Sequence, residues 1–543
     1  MRGTTTAIRG RTHLGIVLLF TVLAVVHTWP LATAPGRLSR NDNADTILNE
    51  WILAWDAHQL THDPLHLFDA NIFYPDPHAL AYSESMILPG AVSIPLFYAG
   101  ASPVLVYNLL LLAGMIASGW MATVLVSRWT GDLWAGLLSG TVCAFGALAL
   151  TRLPHVQSQH REFLLLALLF FDAVLVFRRV RDAVGVAVAL VLQALTSYYT
   201  LVFTGVALVV GLLVRPEAWL PPGTRRVRRL LGLATVLTIV IVAPTLLPYL
   251  EVGRVRDLSE VAQYSASWKD YLTTPSRLEY WLLSSRWTGT TGLFPGIVAL
   301  ALSVVAFATG AWRGVRVRMI AAIGLAGLVL SFGPQAPLYR LLYAWVPPLW
   351  GIRAAARFGT LTVLAVGLLA GYGLAAARAM WRRAWWLGPA IVLLANVESF
   401  AGPIVYTQAV EPSALYARLA DAHAVAEFPF YPPDHIFHNA QYMLNTTRYW
   451  RPILNGYSGL VPDSYCVHYG AFEDFPSPTA IGALRAAGVT HVVVHYADQI
   501  AWNGEDSVER LQRTSALQLI ASDGAIGIYS LSPEGRDLAS NQR

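Results

Sequence analysis

Charge is scarce in this sequence. Only 13% of its 543 residues are Asp, Glu, Lys or Arg, against about 25% in a soluble globular protein. With 55% hydrophobic residues and a mean hydropathy of +0.48, a water-soluble fold is excluded and an integral membrane protein is left. Cysteine is rarer still. Cys143 sits in an apolar segment and Cys466 in a polar one, which makes no disulfide framework. Lysine is missing but for Lys269. The net charge of +5 would suggest nucleic acid in a soluble domain. Here it comes from arginine gathered in loops on one side of a membrane, so no nucleic-acid partner is expected. Internal repeats are also absent, which removes the paired halves common in transporters.

What is present in abundance is apolar runs, at 13–33, 103–127, 132–150, 163–177, 183–197, 199–214, 230–250, 292–311, 318–333, 360–377 and 386–402. Arginine marks alternate connections along this series: Arg2, Arg9 and Arg11, then Arg128, then 178–181, 215–229, 312–318 and 378–383. Under the positive-inside rule these face the cytoplasm, and the alternation predicts about eleven spans. Splitting 183–214 at Ser197-Tyr198-Tyr199 keeps the arginines in phase. The expected product is a multi-pass protein of the cytoplasmic (inner) membrane with its N-terminus inside. Loops 36–102, 151–162, 251–291 and 334–359 then lie outside, with everything after 402. The first run is about 20 residues, a full span at roughly 1.5 Å per residue. Ala32–Ala34 has a cleavage-like pattern, but Pro35 after it disfavours cutting, so a retained anchor is predicted.

Composition divides the chain into a transmembrane module at 1–402, carrying the long first outer loop 36–102, and an extracytoplasmic domain at 403–543. In the latter, 491–497 and 525–531 read as strands and 477–489 as a helix ending at Gly488, a small α/β domain. Asn445-Thr446-Thr447 is a glycosylation sequon. Residues 86–101 are apolar but contain Pro89, Gly90 and Pro95, so an interfacial or re-entrant segment is expected there.

Chemistry concentrates in the outer loops. Asp42 or Asn43 can cap a helix starting near Ala44, with Asp45 in its first turn. At roughly 100° per residue Asp45, Asn49 and Asp56 share a face, beside an apolar face of Ala44, Leu48, Trp51 and Trp55 suited to a membrane surface. One role for Asp45 is to complement the helix dipole, worth about 0.3–1 kcal/mol. The other is a general base held at the membrane boundary. Arg353 and Arg357, four apart, would share a helical face on the side where positive charge is disfavoured. Guanidinium groups there suit a phosphate at headgroup level, or anchor the chain by snorkelling. Loop 151–162 adds Arg152, His155, Gln157, Gln159, His160 and Arg161. Tyr198, Tyr199, Tyr82 and Glu84 fall at the same level. Such groups describe a cavity for an amphiphile with a polar head and a lipid tail.

Other titratable groups are weaker candidates. His58, His62 and His66 have helical spacing for a metal, but Pro64 interrupts that helix, and His435, His438 and His468 have no ligand spacing. No metal ligand is assigned. Asp172, inside a span, is expected to snorkel or pair near Arg178, and Glu398 falls near the outer end of the last run.

Several short motifs follow one another along the chain. They are Ala44-Asp45-Thr46-Ile47-Leu48-Asn49-Glu50-Trp51, Phe73-Tyr74-Pro75, Tyr82-Ser83-Glu84, Arg152–His155, Arg353–Gly359 and Arg451–Gly459. Together with the long acidic first loop, the sequence resembles the GT-C superfamily of membrane glycosyltransferases, most closely multi-spanning bacterial GT-C-like proteins of the cell envelope. The resemblance implies inverting transfer of a sugar from a polyprenyl-phosphate or polyprenyl-diphosphate donor to an extracytoplasmic glycan, lipid or protein acceptor. It maps the catalytic carboxylate to Asp45, with Glu50 and Glu84 as second choices, and admits a divalent metal without requiring any cofactor. Asn49, Tyr82, Arg152, His155, Gln157, Tyr198, Tyr199, Arg353 and Arg357 would bind substrate. Ala44 replaces the family's usual glycine before the aspartate. The alternative is a GT-C-like scaffold without catalysis, or a lipid or glycolipid flippase.

Overall fold

A computed structural model describes residues 10–253 and 255–532; Arg2 and Arg9 lie outside them. The chain forms two compact units, each assembled from two stretches of sequence. One is Met1–Leu38 with Tyr107–Tyr406, the other Ser39–Val106 with Thr407–Arg543. The long first loop, grouped by sequence with the apolar helices, therefore packs with the C-terminal segment instead. Apolar length alone drew the boundary at 402, and it does not register which polar segments fold together.

In the first unit every apolar run is helical. Among the described residues five helices are long and apolar enough to cross a membrane: Gly10–His27, Pro103–Thr130, Leu133–Thr151, Pro222–Val252 and Ala355–Met380. The remaining apolar helices are shorter, including Tyr198–Val214, Ile297–Ala308 and Leu387–Ser399. The chain does break between Val180–Ala194 and Tyr198–Val214, where the Ser197 hydroxyl caps the second helix by accepting from the Thr200 N–H. Helix Arg225–Val252 leaves Val236, Ile239, Val240 and Ile241 more than half exposed, the surface expected of a helix bathed in lipid. Elsewhere small residues let backbones touch. A Cβ on Gly373 would lie 1.8 Å from the Leu302 carbonyl oxygen, so only glycine permits that approach to helix Ile297–Ala308.

Asp172 does not pair with Arg178. Its carboxylate accepts from Arg215 at 2.6 Å and lies 2.8 Å from Arg316, joining helix Glu162–Phe177 to the end of helix Tyr198–Val214 and the first turn of helix Val315–Ser331. Arg178 instead ends its helix in a left-handed conformation, φ 56°.

The second unit is built around helix Ala44–His62. Its apolar face is not a membrane-lying surface. Leu48, Trp51 and Trp55 are buried, and the indole N–H groups donate to Thr446 Oγ1 at 3.3 Å and the Leu67 carbonyl at 2.9 Å. Apolar periodicity says that a face leaves water, and here protein receives it. The polar face is equally split, for Asp45 is half-buried while Asn49 and Asp56 are interior. The helix stops before Pro64, and the rings of His58 and His62 stack on each other at 4.1 Å. Among the described residues no three potential ligands group to hold a metal. Residues Ile87–Tyr98 form a short helix carrying Pro95 within it.

A four-stranded sheet lies in the same unit, with strands Val425–Phe428, His491–His495, Leu517–Ser522 and Ile526–Leu531 in the order first, second, fourth, third. The first pair is parallel and the others antiparallel. The expected helix runs Pro478–Ala486, followed by Gly488 at φ +77°. Two of the short motifs meet here. Phe73 N–H donates to the Asn455 carbonyl and Tyr74 N–H to that of Ile453, while Ile453 N–H returns to Asn71. Asn455 also clamps Glu427 through both its backbone groups, at 2.8 and 2.9 Å. Asn445 of the sequon is buried and donates to the Tyr416 hydroxyl at 2.8 Å, which hides it from modification once folded.

Asp56 gives this unit a pH dependence. Complete burial pushes its carboxyl up to about 8, offset only in part by the Met86 N–H, and burial likewise pushes Glu50 to about 7. Both carboxyls bind their protons more tightly folded than unfolded. Their contribution is therefore fully present below the ordinary carboxylate range and is lost as pH rises towards 8. Thermal unfolding at pH 5, 6.5 and 8 should show stability falling with pH, by at most about 1.4 kcal/mol per pH unit for each group. Asp56→Asn should flatten that slope; an unchanged slope would contradict the assignment.

Candidate functional site

In the second unit, the site begins with a cap. Asn43 is extended (φ −122°, ψ 121°) and its side-chain oxygen accepts from the Asp45 N–H at 2.9 Å, which starts the helix and fixes Asp45 in the first turn. Asp42 is not the cap. It pairs with Arg40 at 3.0 Å, which holds its carboxyl below the usual range. Thr46 ties its hydroxyl to the Arg40 carbonyl at 2.8 Å. The half-buried Asp45 carboxylate accepts a 2.7 Å hydrogen bond from the Tyr457 hydroxyl.

Tyr457 is firmly placed in its turn. Its N–H meets the Met443 sulfur at 3.0 Å, and Asn439 holds the preceding Gly456 carbonyl at 3.1 Å. A Cβ at Gly456 would strike the Phe73 ring at 2.7 Å. Tyr457 lies inside the Arg451–Gly459 motif, but nothing local in sequence signals its partner.

The other acids of this unit have different settings. Glu50 is fully buried, its oxygens accepting from Ser39 at 2.9 Å and Asn41 at 3.2 Å. That internal clamp keeps it from meeting an acceptor, and it fastens the segment leading to the cap. Tyr82 and Glu84 are half-buried. The Tyr82 ring lies 5.8 Å from Phe73, and burial together with Asp76 pushes its hydroxyl up to about 12.

In the first unit the arginines gather around an aromatic residue. Arg353 N–H donates to the Tyr199 hydroxyl at 2.9 Å, and the Arg357 guanidinium lies 4.8 Å from the centre of the same ring. The Arg353 guanidinium stands 4.6 Å over Tyr264. The two do not share a helical face as the spacing predicts, because Arg353 precedes the helical turn Ala355–Phe358. Tyr199 touches both instead, and cation–π contact orients each guanidinium plane. Tyr198 turns away, donating to Thr245 Oγ1 at 2.8 Å.

Loop 151–162 divides in two. Arg152 is half-buried and reaches Thr291 at 3.2 Å, near His155 and Gln157 in the chain. Gln159, His160 and Arg161 are internal fasteners, bonded to Ala149 and Arg152 carbonyls, to Glu162 and to the Cys143 carbonyl. Glu398 likewise acts internally. It accepts from Val298 N–H at 3.0 Å at the start of helix Ile297–Ala308, beside Glu279, whose carboxyl burial and Glu398 push up to about 8.

Thus Asp45, Asn49, Glu50, Tyr82 and Glu84 belong to one unit, and Arg152, His155, Gln157, Tyr198, Tyr199, Arg353 and Arg357 to the other.

No protein-family model and no curated protein matches the sequence. Solved structures do match its fold. The chain is similar to arabinofuranosyltransferase AftD from Mycobacteria, with 16% identity and a TM-score of 0.59 over 98% of this chain and 40% of AftD. A mutant of AftD gives 15% and 0.61 over 98% and 42%. The apo oligosaccharyltransferase of Archaeoglobus fulgidus gives 12% and 0.51 over 98% and 76%. The chain spans about two fifths of the length of AftD. At such identities the likeness is one of fold alone: the chain shares the architecture of these transferase structures.

Proposed function

We propose that this chain is an inverting glycosyltransferase of a bacterial inner membrane that uses a polyprenyl-phosphate or polyprenyl-diphosphate sugar. In this reading about eleven helices span the bilayer, and the C-terminal α/β domain lies outside. The acceptor is a glycan, lipid or protein there. The observation that carries the reading is Asp45, a half-exposed carboxylate at a capped helix start and bonded to Tyr457, in a chain of GT-C architecture.

Asp45 takes the proton from an acceptor hydroxyl as that oxygen forms its bond to the anomeric carbon. The bond from that carbon to the phosphate oxygen breaks on the opposite face, and the lipid phosphate leaves with the electron pair. Arg353 and Arg357 stabilise its developing charge, the electrostatic contribution that is usually largest. Asn49, Tyr82, Arg152, His155, Gln157, Tyr198 and Tyr199 bind or orient the substrates, and Glu84 is the alternative base. Any divalent metal would assist the same leaving phosphate.

The test is turnover of radiolabelled polyprenyl-phosphate and polyprenyl-diphosphate sugars by purified protein in lipid nanodiscs. Release of labelled sugar to an acceptor supports the reading; no turnover of either donor class above that of Asp45→Asn protein overturns it. Arg353→Ala should raise the donor KM by about 10–100-fold, the loss expected when a charge-assisted hydrogen bond worth about 1.5–3 kcal/mol is removed. The acceptor KM should hold. Equal effects on both would favour a lipid anchor.

A further inference from the structure

Helix Pro337–Trp345, in the first unit, is apolar on two sides, and the described residues cover only one of them. On the covered side Tyr339 is buried, its ring 6.5 Å from that of Phe358. On the other side Leu338, Leu341 and Trp345 are exposed, the last two to 59% and 80%. They fall at i, i+3 and i+7, hence in one stripe. Arg340 occupies a third side. It is exposed, and its Nε donates to the Pro334 carbonyl at 2.6 Å. At roughly 100° per residue the covered side, the bare stripe and the arginine lie about 120° apart.

Two hydrogen bonds place this helix relative to a membrane-spanning one. The Tyr343 hydroxyl donates to the Arg256 carbonyl, and Arg256 N–H donates to that of Trp350 at 2.9 Å. Arg256 follows closely on helix Arg225–Val252, at the end remote from its arginines. Along that helix Val236, Val240, Leu247 and Leu250 form an exposed apolar stripe that reaches the last turn. The lipid-facing surface of the span thus runs on to the level of helix Pro337–Trp345.

Nine residues make about 14 Å of helix, less than half of a hydrocarbon core of roughly 30 Å. This helix cannot cross a bilayer, but it can lie along one. Water is a poor cover for a stripe of two leucines and a tryptophan. Lipid covers it together with the stripe of the neighbouring span, as one continuous medium. Each side then has its surroundings: protein at Tyr339, acyl chains at Leu338 and Leu341, and headgroup phosphates at Arg340. Trp345 closes the stripe with the amphipathic ring favoured at a membrane–water boundary.

We propose that helix Pro337–Trp345 lies in the headgroup–acyl boundary of the bilayer, in the leaflet remote from Arg225–Arg229. The inference requires the chain to span a membrane and none of the transfer chemistry.

The test is depth-dependent fluorescence quenching on the full chain in phospholipid nanodiscs. A Cys466→Ser background leaves only the buried Cys143. A bimane label is attached at Leu341→Cys or at Trp345→Cys. Val240→Cys on the spanning helix and Leu519→Cys on an exposed strand position serve as references. Lipids brominated near the headgroup should quench positions 341 and 345 at least about twofold more than lipids brominated at the chain end, as for an amphipathic helix buried roughly 5–10 Å. Position 240 should show the opposite order, and position 519 should respond only to aqueous iodide. Iodide quenching at 341 and 345 as strong as at 519 would overturn the proposal. Protection from both iodide and bromolipid would do so too, because a protein partner or a second copy would then cover the stripe. The order of quenching found at 240, if repeated at 345, would sink the helix into the acyl core and overturn it as well.

Discussion

Asp45→Asn should lower kcat for sugar transfer by about 10²–10⁴-fold, the range that a positioned general base contributes. Asparagine keeps an oxygen to accept from Tyr457, and the capping bond uses the residue's backbone N–H, so neither interaction is lost. Expression, thermal unfolding and donor KM should match wild type. Tyr457→Phe separates positioning from proton transfer. It takes one hydrogen bond from the carboxylate without removing the acid, and should lower kcat by about tenfold, since one hydrogen bond to a charged group is worth roughly 1.5–3 kcal/mol at most. Full activity in the Asp45→Asn protein would remove the base from the mechanism. A larger loss for Tyr457→Phe than for Asp45→Asn would make the tyrosine the principal group.

The second large effect is on stability. Asp172→Ala should cost about 3–5 kcal/mol, because breaking a buried ion pair from one side leaves uncompensated charge. The side chain of Arg215 is only 6% exposed, whereas that of Arg316, at 29%, can relax outwards. Asp172→Asn keeps an acceptor and should cost roughly half as much. Unfolding in detergent, followed by helical circular dichroism, reads both. An unchanged transition for Asp172→Ala would mean that the cluster is not energetically coupled.

How much of this was legible in sequence follows from the range of the interactions. The apolar runs declare their helices because burial and length are local properties, and so does the start at Ala44, whose cap is the adjacent residue. The break before Tyr198 is equally local, a serine cap where the arginine pattern required one. Partners distant in sequence are another matter. Asp172 has Arg178 close by in sequence yet bonds Arg215 and Arg316, and no periodicity selects among them. The spacing of Arg353 and Arg357 predicts a shared helical face, but it is a tyrosine from another helix, Tyr199, that touches both. The face of Trp51 and Trp55 reads the same whether lipid or protein covers it. Asp45 itself came from motif order, and its hydroxyl neighbour Tyr457 came only from structure.

One consequence concerns biosynthesis. The ribosome delivers residues 39–106 long before 407–532, with the whole of 107–406 made in between. At about 5–20 residues per second, that interval lasts tens of seconds. Throughout it Trp51 lacks its Thr446 acceptor, and the Phe73 and Tyr74 amides lack the carbonyls they will pair with. The early segment must wait, chaperoned or exposed, until the last stretch arrives. A nascent chain halted anywhere before residue 455 would therefore carry an unfinished first loop, and protease sensitivity of that loop would report whether synthesis had run to completion.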